Sequence, residues 1–187
     1  MTDRSRPGGI AGLAASRLWA AAHFPYLASG LFALQVVEAP GIGTVAVDEG
    51  WRLWVDPTVA AGWTSAQLGS VLVHHACHLL RSHGDRAREM EVGNEEAGTW
   101  VRCADAEIND DMIPGGLELP GTPVQPHHLG AVPGRLAEHY FEIVRATEAP
   151  RTTGGATRVD GPPDWSLDWQ RGRWAGQILG EARVGCS

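Results

Sequence analysis

Residues 10–22 are rich in Ala and Leu, with Ser16 and Arg17 set among them, a pattern that predicts an amphipathic helix. Pro25 and Gly30 interrupt before a second apolar stretch over 31–37, and Ala39-Pro40-Gly41-Ile42-Gly43 predicts a turn. Two short β-prone runs, 44–48 and 52–55, flank Glu49-Gly50 as a hairpin would, and Asp56-Pro57 closes the second. The best helix start in the chain is Thr64-Ser65-Ala66-Gln67. There the Thr64 hydroxyl can accept from the Gln67 amide while the Gln67 side chain reaches back, a capping box. Leu68, Val71, Leu72, Leu79 and Leu80 carry that helix to about residue 82, and apolar residues on more than one face predict that it is buried.

Beyond it lies a charged segment, 85–96, with a break at Gly93-Asn94, and then a helix from about 95 to 112, stopped by Pro114-Gly115-Gly116. Residues 117–134 are Pro-rich without periodicity and read as an ordered loop. A further helix over 135–146 gathers Leu136, Tyr140, Ile143 and Val144 on one face. The expected organisation is one domain over 1–147, a Pro/Gly-rich linker over 148–164, and a tail over 165–187 that docks through Trp165, Trp169 and Trp174.

Composition narrows the function classes. A chain of 187 residues, 43% apolar and 20% charged, suits one packed domain with an appendage. Its 15 basic and 22 acidic residues leave a net charge of −7, which argues against nucleic acid or an anionic membrane as partner. Every basic residue is Arg; without Lys, neither Schiff-base catalysis nor a P-loop is open to it. Three widely spaced cysteines (Cys77, Cys103, Cys186) are not a disulfide framework, and the polar residues 1–9 do not begin a signal peptide, so a cytoplasmic protein is expected.

The chemistry concentrates in Val73-His74-His75-Ala76-Cys77-His78-Leu79-Leu80-Arg81-Ser82-His83. His74 and His78, four apart on a helix, present their imidazoles on one face, the spacing by which the zinc motif H-E-x-x-H holds its ion. Here His75 stands where that motif has its general-base Glu. Histidines on so apolar a helix would be costly without a partner. A second string, running from Trp100 through Cys103-Ala104-Asp105-Ala106-Glu107-Ile108-Asn109 to Asp111, supplies one: Asp105 as third ligand, with Asn109 one turn on to hold a ligand from behind. Glu107 and Asp111 read as a solvated acidic face. Cys77 and Cys103 read as buried packing residues before soft metal ligands. His83, five after His78, is rotated off the ligand face and supports a helix end. His127 and His128 are expected to be exposed, His23 and His139 carry no pattern, and Tyr140 reads as packing.

The two strings together resemble the zincin-like metallopeptidase domain that precedes a von Willebrand factor A-like domain in many bacterial proteins. Its pattern, V-H-E-x-x-H-x-x-x-x-H-x-x-R then W-N-x-A-A-D-x-x-I-N-D, is matched by Val73-His74, His78, His83, Arg86, Trp100, Ala104-Asp105 and Ile108-Asn109-Asp110. Leu129-Gly130, Pro133-Gly134, Ala137-Glu138 and Tyr140 resemble a later segment of the family.

The resemblance implies an α+β, zincin-like fold, with a small sheet packed on an active-site helix and a second ligand-bearing helix. It implies one divalent ion, zinc by preference, held by His74, His78 and Asp105, a peptide or protein substrate, and an AAA+ ATPase as a partner. The chain departs from the family in two ways. No von Willebrand-like segment follows the linker, as expected of a stand-alone or truncated member. His75 replaces the base, so weakened or lost peptidase activity is expected. A copper or iron enzyme on the same scaffold, or a binding module without catalysis, are the alternatives.

Overall fold

A computed structural model describes residues 11–148. The expected tail and linker, together with Cys186 and the three tail tryptophans, lie outside the described residues. In order come α1 (Ala11–His23), a 3-10 turn (Pro25–Leu27), α2 (Ala28–Ala33), β1 (Gln35–Glu38), β2 (Val45–Val47), β3 (Arg52–Val55), α3 (Pro57–Ala60), α4 (Ser65–Leu80), α5 (His83–Glu89), α6 (Ala97–Met112), a second 3-10 turn (Pro126–Leu129) and α7 (Ala137–Glu148). The expected α+β architecture is present, a small sheet against a set of helices.

The hairpin forms as the pattern predicts, with Val45 opposite Val55, Ala46 opposite Trp54 and Val47 opposite Leu53. The apolar stretch over 31–37 splits into the end of α2 and most of β1. That strand adds to the far side of β3 in parallel, giving the order β1-β3-β2 among the described residues and leaving β2 at an edge. Asp56 anchors this corner. Its carboxylate accepts from the Gly41 and Gly43 amides at 2.9 Å each, and from the Thr58 amide at 2.9 Å and hydroxyl at 2.6 Å. The Thr58 hydroxyl leads these contacts in pulling its pKa down to about 2. Gly41 and Gly43 both take left-handed backbone angles that only glycine adopts freely.

α4 starts at the capping box read from the sequence, with both reciprocal Thr64–Gln67 bonds at 3.1 Å. α1 lies close along it. A Cβ on Gly69 would fall 2.5 Å from the Trp19 ring and 2.8 Å from the Ser16 carbonyl, so glycine permits this approach. α4 is buried along most of its length, as predicted, and ends at Leu80, slightly short of the expected 82.

Ser82, with φ of +52°, then turns the chain so that the charged segment opens as α5, a helix the sequence pattern did not suggest. Few apolar residues hold α5 in place: Ala87 is buried, while Arg86 pairs with Glu107 and Glu138.

Two apolar clusters result. One joins the sheet, α1, α2 and α4; the other joins α6 and α7 around Trp100, Tyr140 and Phe141. α4 and α6 meet between them, and the chemistry lies at that seam.

Candidate metal centre

His74, His75 and His78 occupy the buried middle and end of α4, and Asp105 and Asn109 the buried middle of α6. The i,i+4 spacing of each helix turns His74 and His78 toward α6, and Asp105 and Asn109 toward α4. His74 and Asp105 are each only 1% exposed.

Three atoms converge. His74 Nε2 and His78 Nε2 lie 2.9 Å apart, and Asp105 Oδ1 is 3.1 Å from the first and 3.0 Å from the second. This triad is the one group among the described residues whose donor atoms could hold a metal ion together.

The protons around the triad can be placed. Asn109 donates its amide nitrogen to the Val124 carbonyl at 2.9 Å, which leaves its oxygen facing His74 Nδ1 at 3.1 Å. That oxygen can only accept, so His74 carries its proton on Nδ1 and turns the Nε2 lone pair inward. Burial lowers the proton affinity of His74 and of His78 more than the neighbouring Asp105 carboxylate raises it, so both are neutral, as metal ligands must be.

Burial also opposes ionisation of Asp105, but its two imidazole neighbours, His74 and His78, hold its carboxyl below the usual range. The second oxygen, Oδ2, is buried without a hydrogen-bond partner. Two imidazole lone pairs and a carboxylate converging in a dry site are a donor set that a cation satisfies. Four-coordinate zinc, with bonds near 2.0–2.1 Å, sets its ligand atoms about 3.3 Å apart, close to the edges of this triangle. The residues therefore fit a divalent ion bound by three protein ligands.

His75 stands apart from the triad. Its ring centroid is 5.7 Å from that of His74 and 6.2 Å from that of His78, and it is 3% exposed. Neither ring nitrogen has a hydrogen-bond partner of ordinary geometry, and the Val45 backbone on edge strand β2 acts on it only weakly. Burial first, and then its two histidine neighbours, push its pKa well below normal, so it is a neutral imidazole.

One expectation is corrected here. Glu107 is not a solvated face but is 5% exposed, accepting from Arg81 at 3.0 Å, Arg86 at 2.8 Å and the Ala137 amide at 2.7 Å. Asp111, with 59% of its side chain exposed, does match that reading. His83 stands off the ligand face and at a helix end, as expected: it is the first residue of α5, and its Nδ1 lies 3.0 Å from His78 Nδ1, behind the triad. Neither contact follows from helical spacing, because the turn at Ser82 intervenes. The family pattern's His83 and Arg86 were the only hint.

Cys77 and Cys103 are buried and stand outside the triad, and burial pushes the Cys77 thiol up to about 11. His127 and His128 are exposed. Tyr140 is buried against α6, its hydroxyl accepting from the Arg135 amide at 3.1 Å.

Among the described residues no helix is long and apolar enough to cross a membrane. A family described as "Putative metallopeptidase domain" matches residues 12–168, most of the chain. No curated protein and no solved structure matches. Together, the match and the triad support a metal-dependent, peptidase-like role.

Proposed function

The chain belongs to that metallopeptidase-domain family, and from this premise we propose that it is a zinc-dependent hydrolase of the metallopeptidase type whose peptidase activity is weakened or lost at His75. The observation that carries the reading is the convergence of His74 Nε2, His78 Nε2 and Asp105 Oδ1 within about 3 Å of one another in a buried site. His74, His78 and Asp105 would hold the ion. When bound, such an ion supplies Lewis acidity toward a peptide carbonyl and toward water.

The chain's own residues do the rest. Asn109 holds His74 in the tautomer that presents Nε2. His75 occupies the position from which a base would take a proton from water and return it to the leaving amine. Its imidazole is buried beside two other histidines, with no carboxylate bonded to either nitrogen, so it binds a proton poorly. A weak base at that position would slow hydrolysis while leaving ion binding intact. A peptide or protein is the matching substrate class.

A titration of the metal-free protein with Zn2+ tests the reading. At an ion concentration about a hundred times the dissociation constant, binding adds about 2.7 kcal/mol of stability. For a domain of this size that raises the midpoint of thermal unfolding by roughly 5–10 °C. Asp105→Ala is expected to abolish the rise. An unchanged wild-type midpoint across the titration would contradict the proposal.

A further inference from the structure

We propose that the segment 160–169 of this chain docks on the domain's own α6–α7 face, with Trp165 seated in a cavity there and Asp164 paired with Arg102.

The cavity has a volume of about 310 Å³ and lies between α6, α7 and the second 3-10 turn. None of the side chains lining it belongs to the triad. Its apolar wall is Leu129, Ile143 and Val144. Leu129 and Val144 belong to the cluster around Trp100, Tyr140 and Phe141, so the cavity opens on the rim of that core. The volume stands at the bottom of the range of ligand pockets, ~300–1,000 Å³, and suits one aromatic side chain.

The polar side of the cavity is cationic. The Thr147 hydroxyl donates to the Ile143 carbonyl at 2.8 Å, and His128 Nδ1 accepts from the Gln125 amide at 3.0 Å. The Arg102 guanidinium and His128 Nε2 are left as the donors among the lining side chains. Arg102 is half-buried, and among the described residues no carboxylate pairs with it, whereas Arg86 on α5 and Arg145 on α7 are both paired. A partly buried cation beside an apolar wall calls for a carboxylate carried next to an apolar group.

The chain carries such a pair. Residues 160–169, Asp-Gly-Pro-Pro-Asp-Trp-Ser-Leu-Asp-Trp, hold three Asp, two Trp and no Arg. The flanking stretches are basic, with Arg151 and Arg158 before and Arg171 and Arg173 after, so the acidic and aromatic character is concentrated in this segment. Trp165 offers the large apolar surface and Asp164, beside it, the charge.

Position favours the same occupant. Ile143, Val144 and Thr147 lie in the last two turns of α7, so the chain leaves the domain beside the cavity. At up to ~3.6 Å per residue, the sixteen steps from 148 to 164 reach back to that face with length to spare. The family match continues to residue 168, through Asp164 and Trp165, so the segment belongs to the sequence that the family shares. A tethered group acts at an effective concentration of order millimolar, so a contact of modest strength suffices.

The test uses the full chain labelled with 5-fluorotryptophan. Trp165→Phe identifies the Trp165 fluorine resonance, and a soluble paramagnetic reagent reads its exposure against buried Trp100 and the free labelled amino acid. Trp165 is expected to be protected in the wild type. Asp164→Arg and Arg102→Asp each set two like charges together and are expected to lose that protection. The two reversals combined in one chain are expected to recover most of it.

A Trp165 resonance as accessible as the free amino acid would overturn the proposal. So would protection that survives both single reversals, which would put the segment on another face. Protection that falls on dilution would assign the segment to the cavity of a second copy and overturn docking within the chain. Should Arg102→Asp not fold, Asp164→Arg decides alone, since it leaves every contact of the described residues in place, and unchanged protection there would contradict the pairing.

Discussion

Glu107→Ala is expected to destabilise the fold by about 3 kcal/mol, the low end of the cost of breaking a buried ion pair. The substitution removes the one acceptor that Arg81, Arg86 and the first amide of α7 share. Burial opposes ionisation of this carboxyl, yet the nearby His83 and the bonded Arg86 hold its pKa well below the usual range, so the charged form is the native one. Without it, Arg86 keeps Glu138 and Arg81 keeps Asp111, and both arginines reach solvent, which limits the loss. The Ala137 amide, in the first turn of α7, loses its acceptor. Denaturant unfolding measures the change. A loss under about 1 kcal/mol, the worth of an ordinary surface pair, would mean that this carboxylate does not tie α4, α5, α6 and α7 together.

His75→Glu is expected to raise peptide hydrolysis by about 10²–10⁴-fold, the usual contribution of a positioned acid–base group. The substitution introduces a smaller side chain at a position where both ring nitrogens of the native residue lack partners, so no existing hydrogen bond is lost. The triad is untouched, and metal affinity should stay near that of wild type. An unstructured protein substrate, assayed with and without a chelator, reads the gain. No gain in a folded, metal-loaded variant would remove peptidase chemistry from the account and favour a binding module on the same scaffold.

How far the sequence reached depended on how local each interaction is. The α4 capping box uses two side chains three residues apart, and it was read correctly from that spacing alone. The β2–β3 hairpin and the inward turn of His74 and His78 are likewise set within a few residues. Asp105 came from a second string, 31 positions after His74 and 27 after His78, matched through chemistry and family pattern, and it meets the two histidines at 3.1 and 3.0 Å.

What escaped depends on partners from elsewhere in the chain. α5 has too little apolar periodicity to announce itself, since Arg86 anchors it through carboxylates on α6 and α7. Glu107 looks solvated in sequence because its burial is made by Arg81, Arg86 and the start of α7. The parallel pairing of β1 with β3 leaves no mark in the spacing of a stretch whose first half continues a helix.

The most direct test of the central claim is the metal content of the protein, purified without added metal or an affinity tag, beside His74→Ala. The account requires about one zinc ion per chain in the wild type, for three protein ligands on one ion, and none in the variant. One copper or iron per chain would keep the site and replace hydrolysis with redox chemistry. No metal in the wild type, even after reconstitution, would contradict the metal centre itself.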